Sequence, residues 1–193
     1  MSEQYRNRPL LHPESASAWR DWLADHHRTV DGVWLARWTT ATGHQPIAYE
    51  SIVEEALCFG WIDGLVNSLP DGRQAHLMTP RRRGSGWSLS NKDRVARLTA
   101  AGRMTAAGLA VIEAARADGS WTMHDDADAL IEPGDLAAAL DARPGARVHW
   151  DIFSPSVRRS LLWWLTSAKR SETRARRVAE IVADAEQGRR ANA

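Results

Sequence analysis

Apolar residues recur along this chain with two different periods, and the change of period divides it. Trp19, Trp22 and Leu23 fall at i, i+3 and i+4, one face of a helix that Ser15 or Ser17 can cap. Val33–Trp38 is short and β-prone, bounded by Asp31-Gly32 and by the Thr39–His44 turn cluster, and predicts a strand. Ser51-x-x-Glu54 has the pattern of a capping box. It opens a helix through Phe59, stopped by Gly60, with Tyr49, Val53, Ala56 and Leu57 as its buried stripe. Trp61–Leu69 and Arg73–Thr79 predict two further strands, joined at Leu69-Pro70-Asp71-Gly72. In that turn Pro presets φ, Asp bonds backbone and Gly permits φ > 0. Val33–Trp38 is expected to join this hairpin, giving a small antiparallel sheet of about three strands. Residues 1–14 are polar with two prolines and are expected to be extended.

Past Pro80 the pattern turns helical. Ser90-x-x-Asp93 caps a helix to about Ala101, and Met104–Ala117 is a second, ended by Asp118-Gly119. Pro133 at the first helical position and Asp135 mark a short third, Leu136–Ala142. A fourth covers Ala146–Phe153, and Ser154-Pro155 opens a fifth with Val157, Leu161, Trp164, Leu165 and Ala168 on one stripe. Ser171-Glu172 opens a sixth, with Ala175, Val178, Val182 and Ala185 on its apolar side. The expected fold class is α+β, mainly helical. An N-terminal α/β part over residues 10–80 carries the sheet and packs with a C-terminal helical bundle over 81–187 into one unit. Residues 188–193 form a frayed tail.

Composition narrows the class. The 193 residues are 44% hydrophobic and 25% charged, with net charge +1, which excludes a disordered chain and one coated in positive potential. Cys58 is the single cysteine, so no intrachain disulfide forms. The N-terminus has no apolar signal-like core, and no stretch approaches the ~20 apolar residues of a membrane span. A reduced, cytoplasmic protein without membrane insertion is expected. C-x-x-C, H-E-x-x-H, G-x-S-x-G and P-loop motifs are absent. Two counts stand out: ten Trp against two Tyr and two Phe, and 23 Arg against Lys92 and Lys169.

Three constellations carry candidate chemistry. In Cys58-Phe-Gly-Trp-Ile-Asp63-Gly, strand alternation puts Trp61, Asp63 and Leu65 on one sheet face. A carboxylate in such a setting is either partnered or functional. It is a candidate general acid or base; the alternative is an ion-paired support for the hairpin. The loop Arg81-Arg82-Arg83-Gly84-Ser85-Gly86-Trp87-Ser88-x-x-Asn91 combines forked donors, glycines and an aromatic wall before a helix N-terminus. It is either an anion pocket or a solvated basic linker. Arg170, Arg174 and Arg177 line one face of the last helix. A basic helix can bind nucleic acid, but the balanced charge makes nucleic acid an unfavoured partner and a face of local ion pairs the plainer reading. His26, His27, His44, His76, His124 and His149 show no ligand spacing, and His124-Asp125-Asp126-x-Asp128 lacks an EF-hand loop's glycine and terminal Glu, so no metal is expected. Cys58 reads as a buried, inert thiol.

The segment Glu54-Glu55-Ala56-Leu57-Cys58-Phe59-Gly60-Trp61-Ile62-Asp63-Gly64 resembles the YdeI/OmpD-associated, or bacteriocin-protection, family. So do Thr79-Pro80-Arg81-Arg82, Ser85-x-Trp87-Ser88-x-x-Asn91, Leu98-x-x-x-Gly102-x-Met104-x-x-x-Gly108 and Ala168-Lys169-Arg170-x-Glu172-Thr173-Arg174-x-Arg176-Arg177. The resemblance spans roughly residues 10–187. It implies a cytoplasmic protein that protects against peptide antibiotics or envelope stress, and it implies no cofactor. Members carry a Lys pair where this chain has Thr39-Thr40, and aromatic residues where it has Ala75, His76 and Met78. If those positions line a pocket, this one is wider and less charged.

The leading expectation is therefore a binding protein for a small-molecule or peptide ligand, aromatic or anionic, in a cleft lined by Trp38, Trp61, Asp63, Arg81, Arg82, Ser85, Trp87, Ser88, Asn91, Arg174 and Arg177. A cofactor-independent enzyme using Asp63 as acid or base is the alternative, and nucleic-acid binding a third. Trp19, Trp22, Trp34 and Trp164 fall on apolar stripes or strand faces; Trp38, Trp61 and Trp87 are the tryptophans expected at the ligand.

Overall fold

The computed structural model describes residues 3–40 and 43–189. Of the turn cluster read at Thr39–His44, residues 41 and 42 lie outside the described residues, as do 1–2 of the extended segment and 190–193 of the tail expected to fray. The chain divides into two compact units, Met1–Ser85 with Ser90–Gly119, and Gly86–Leu89 with Ser120–Ala193.

In the first unit the hairpin of β4 (Trp61–Ser68) and β5 (Arg73–Pro80) forms as expected, and β3 (Val33–Trp38) pairs antiparallel with β5. The sheet is larger than expected and mixed, not wholly antiparallel. Among the described residues it has five strands in the order β1-β2-β3-β5-β4, adding β1 (Gln4–Tyr5) and β2 (Arg8–Leu11). These two form a hairpin over Arg6 and Asn7, both at positive φ (47° and 62°), the backbone that a tight two-residue turn demands. They are too short to show alternation, so only pairing defines them, β2 with β3 and β1 with β2. β2 runs parallel to β3, and a parallel pair needs a crossover. Helix α1 (Ala16–His26) supplies it, capped by Ser15 Oγ accepting from the Ala18 amide at 3.1 Å.

The register sorts the sheet's two faces. Leu10, Trp34, Ala36 and Ala75 share one face and a small core with Leu69. Val33, Leu35 and Arg37 of β3, His76 and Met78 of β5 and Trp61 and Asp63 of β4 share the other. On that inner face the helical layer packs. Trp61 Nε1 donates to the His27 carbonyl at 3.2 Å, and the Trp61 ring meets Trp19 and Trp22 edge-on. A register shift between Asp63 and Val66 breaks the alternation of β4. Leu65, expected beside Trp61 and Asp63, is thereby turned out to solvent.

Helix α2 (Tyr49–Cys58) starts earlier than the capping-box pattern implies, with Ala48 at the cap and no side-chain cap bond. Glu54 is not folded back on Ser51 but is drawn into a chain of charges. Arg94 bonds Glu50 (2.6 Å), Arg97 bonds Glu50 and Glu54 (2.9 Å each), Arg103 bonds Glu54 (3.1 Å) and Glu55 (2.6 Å), and Arg20 bonds Glu55 (2.7 Å). Glu54 and Glu55 are buried, which is tolerable only because forked guanidinium groups occupy both oxygens of each. This ladder ties α3 (Leu89–Ala100) and the loop after it to α2 and absorbs four of the arginines. Helix α4 (Ala106–Ala117) docks on the C-terminal end of α2, where Thr105 donates to the Cys58 carbonyl from its hydroxyl (2.7 Å) and its amide (3.1 Å).

In the second unit, α5 (Asp125–Asp128), α6 (Gly134–Asp141), α7 (Pro144–Ile152), α8 (Pro155–Thr166) and α9 (Ser171–Glu186) enclose a core of Leu136, Leu140, Trp150, Leu161, Leu165, Ile181 and Val182. The single turn α5 carries no apolar period and was not legible. Pro133 caps α6 rather than opening it, and Ser154 caps α8. Helix α9 buries Ile181 instead of the smaller Ala175, which is left exposed, because the larger side chain removes more apolar area from water. Gly188 takes a positive φ and Arg189 bonds back to Asp184, closing the helix.

Candidate functional site

The inner face of the first unit's sheet gathers a polar cluster that apolar packing alone does not require. Tyr49, the first residue of α2, lays its ring over His76 of β5, with centroids 5.4 Å apart, and its hydroxyl donates to Asp63 Oδ2. The same register that puts Trp61 in the core puts Asp63 two residues on at the rim of this face. The ring of Tyr49 is 39% exposed, so solvent reaches this end of the pair. Burial, then the bond to Asp63, pushes the Tyr49 phenol up to about 12. Tyr49 is therefore the proton donor of the pair and Asp63 the acceptor.

His76 is only 5% exposed, and both ring nitrogens are buried without a hydrogen-bond partner among the described residues. Burial holds its imidazole below the ordinary histidine range, the Arg37 charge adds to that, and the Asp63 charge opposes it. Arg81 leaves β5 with its amide bonded to the Gly60 carbonyl at 2.9 Å. Burial lowers its guanidinium to about 10, against the pull of Asp63. Arg94 sends its charge toward Tyr49 and Asp63 while its fork is held by Glu50 and by Asn91 Oδ1 at 2.8 Å. The cluster thus offers a hydrogen-bonded carboxylate, a phenol donor, an unsatisfied neutral imidazole and cationic forks. It can orient an oxyanion or polar aromatic group and can relay a proton. Among the described residues no three His, Cys, Asp or Glu side chains come together as a metal ligand set.

Of the residues singled out in the sequence, Asp63, Arg81 and Asn91 belong to this neighbourhood. Trp61 is 1% exposed and is spoken for by the His27 carbonyl. Trp38, at the end of β3, stacks on His44 (4.1 Å), meets His12 edge-on and lies under Arg73. With Arg37, His12, Pro13, Glu14, Gln45 and Ile47 it lines a cavity of about 170 Å³. Arg82 is exposed, and its carbonyl accepts the Ser85 hydroxyl at 2.7 Å, closing the glycine loop on itself. Trp87 and Ser88 fall in the second unit, where the Trp87 ring is 2% exposed and tilts against Trp121 at 4.9 Å.

Arg174 and Arg177 are also in the second unit. Arg174 grips both oxygens of Asp135 (2.6 and 2.9 Å), and Arg177 donates to the Trp164 carbonyl and to Ser167 Oγ (2.8 Å) while stacking over the Trp164 ring. Both are committed to local structure. Arg174 also edges an apolar groove of about 800 Å³ between α6 and α9.

Tyr49, His76, Arg37 and Arg94 were not among the candidate site residues of the sequence. Tyr49 read as an apolar stripe residue, and Arg37 and Arg94 carried no motif. His76 was named only among the histidines without ligand spacing and as a departure from the resembled family. Pairing β3 with β5 from the hairpin pattern would have set His76 across from Leu35 and pointed to it.

Two family models match the chain. One, described as Bacteriocin-protection, YdeI or OmpD-Associated, covers residues 129–188; the other, described as Domain of unknown function (DUF8412), covers residues 11–111. No curated protein and no solved structure matches. The motifs from Glu54 to Gly108 lie within the longer match, and the arginine-rich motif from Ala168 to Arg177 within the shorter. No helix among the described residues is long and apolar enough to cross a membrane. The chain belongs to the DUF8412 family, whose model covers just over half of it, and carries in its second unit a domain of the YdeI or OmpD-associated, bacteriocin-protection type.

Proposed function

We propose that the chain is a cytoplasmic binding protein that confers protection by holding a small aromatic or anionic ligand, such as an antibiotic or short peptide, at the cluster around Asp63. The observation that carries this reading is His76, a buried imidazole with two unpartnered nitrogens beside the Tyr49–Asp63 pair. A buried polar group without a partner costs roughly 1–3 kcal/mol, and a bound ligand that supplies the missing bond recovers it. The exposed Tyr49 ring and the arginine forks suit a ligand with an aromatic face and a negative edge.

The test is a titration of aromatic and peptide antibiotics against the whole chain, followed by tryptophan fluorescence and thermal shift. Binding by at least one compound class, weakened at least tenfold in Asp63→Asn and His76→Phe, is expected. A silent panel, or binding unchanged in both variants, overturns the reading.

A second reading has its own support. The Tyr49 hydroxyl is aimed at Asp63 Oδ2, the geometry of a proton relay, and Asp63 then acts as general acid or base on the bound compound. In that case Asp63→Asn removes turnover while leaving binding within about threefold; loss of both together favours simple binding.

A further inference from the structure

Arg37 stands between two places, the cavity at Trp38 and the imidazole of His76. Its Nε is buried and has no hydrogen-bond partner among the described residues. It lines the cavity of about 170 Å³ with Trp38 and Ile47 as apolar walls and Gln45 as a neutral amide. His12 lies on the same wall, its Nδ1 bonded to the Ala36 carbonyl at 3.0 Å, and Glu14 stands exposed at the rim. At about 30 Å³ per water the space has the volume of five or six waters. On β3, Arg37 is two residues from Leu35, the register partner of His76, so Arg37 and His76 occupy neighbouring positions of one sheet face. Near enough that its charge opposes protonation, Arg37 also faces an imidazole that is 95% buried and unpartnered.

We propose that the cavity at Arg37 is a subsite for a small oxyanion, a carboxylate or phosphate, and that filling it makes His76 take up a proton. The physics is direct. A guanidinium whose Nε is buried without a partner among the described residues, at the wall of a partly desolvated cavity, binds an oxyanion through parallel N–H···O bonds. The anion cancels the charge that repels a proton from His76. The other groups facing His76 are Asp63 of β4, whose charge favours the proton, and Tyr49 of α2, which is neutral at physiological pH. With Arg37 neutralised, Asp63 is the charge His76 feels most. The cavity and the Tyr49–Asp63–His76 cluster are then coupled, and by linkage the coupling is reciprocal: protonating His76 tightens the anion. Trp38 and Ile47 add a preference for an anion carried on a ring. The proposal rests on the binding reading above for its biological meaning, because the anion is one end of the protected compound.

Acetate, benzoate and inorganic phosphate are titrated into the full chain, with the His76 ring proton and the Trp38 indole N–H followed by NMR. Saturation is expected to shift the Trp38 signal and move the His76 titration midpoint up by about half a pH unit, equivalent to binding about threefold tighter well below both midpoints than well above them, and about twofold tighter at pH 5.5 than at 7.5. Benzoate tighter than acetate marks a carboxylate on a ring, and phosphate tighter than both marks a phosphate ligand. In Arg37→Gln the midpoint is expected to be raised already and the anion response lost, while Arg37→Lys keeps the charge and part of the response. No movement of either signal in the wild type overturns the proposal, as does an equal response in Arg37→Gln. If Arg37→Gln does not fold, the wild-type and Arg37→Lys titrations decide alone. A silent antibiotic panel with responsive anions leaves the subsite standing and removes the binding reading; a responsive panel with silent anions does the reverse.

Discussion

Gly108 is where the corner that carries Asp63 is held together. It sits in the first turn of α4, and a Cβ built there lies 2.3 Å from the Cys58 carbonyl oxygen and 2.8 Å from its carbon. That is about 1 Å inside the ~3.3 Å at which carbon and oxygen normally meet. The obstacle is backbone, at the end of α2, where that carbonyl already accepts from the Thr105 hydroxyl and amide. It cannot rotate away as a side chain would. In Gly108→Ala, α4 must move off α2, weakening both Thr105 bonds and disturbing the path through Gly60 into β4. Overpacking of this kind costs up to about 3 kcal/mol, and Ala in place of Gly returns about 1 kcal/mol of helix propensity. The net loss is about 2 kcal/mol, a fall of roughly 4–8 °C in Tm for a protein of this size. Gly145, in the first turn of α7, has nothing within 4 Å of its Cβ position and serves as the control; Gly145→Ala is expected to be neutral or stabilising by up to about 1 kcal/mol. Thermal and urea melts of both variants decide the matter. A Gly108→Ala protein that melts at or above the wild type refutes the packing argument.

Three further outcomes are expected. His76 titrates below its unfolded value of about 6.5 because it is buried, so the unfolded chain binds the extra proton; its contribution to stability is full above that pH and is lost as pH falls below it. Melts between pH 8 and 5 should show this slope, and His76→Phe should flatten it. Tyr49 titrates at about 12 against about 10 unfolded, so its contribution is full below pH 10 and disappears between 10 and 12. Absorbance at alkaline pH should show a phenol that ionises near 12, and Tyr49→Phe should remove it. In the second unit a Cβ at Gly86 would lie 2.1 Å from His124 Nε2, whose ring is stacked on Trp163. Gly86→Ala is expected to lower Tm by several degrees, and an unchanged Tm would mean the His124 ring swings away freely.

Local signals in this chain were reliable where one face of an element is apolar and its ends carry turn chemistry. The β4–β5 hairpin followed from Pro70-Asp71-Gly72, helix α1 from a cap at Ser15 or Ser17 and its Trp stripe, and α8 from Ser154-Pro155. The signals failed where a partner far along the chain decides. β2 exists because β3 offers an edge, and β1 because β2 then does. Glu54 abandoned its capping box because Arg97 and Arg103, more than forty residues away, offer stronger bonds than an amide. The candidate site shows the same split. Asp63 was legible as a carboxylate on a half-buried strand, and Arg81 as a basic residue at its end. Tyr49 and His76 were not, because a tyrosine on an apolar stripe and a lone histidine on a strand look like core until the register brings them to Asp63.

The tryptophans separate in the same way. Composition marked ten of them, and helix or strand period alone assigned Trp19, Trp22, Trp34 and Trp164 to packing. Which of the others meet solvent or a cavity depended on tertiary structure: Trp61 turned inward to the His27 carbonyl, while Trp38 came to line a cavity with Arg37. The sequence by itself determined the helices of two turns or more, the central hairpin and the acidic and basic residues available, because those depend on neighbours within a turn or two. The bulge after Asp63, the parallel pairing of β2 with β3 and the meeting of Tyr49, Asp63 and His76 were decided only by the fold, because long-range pairing sets which side chains share a face and which are left without a partner.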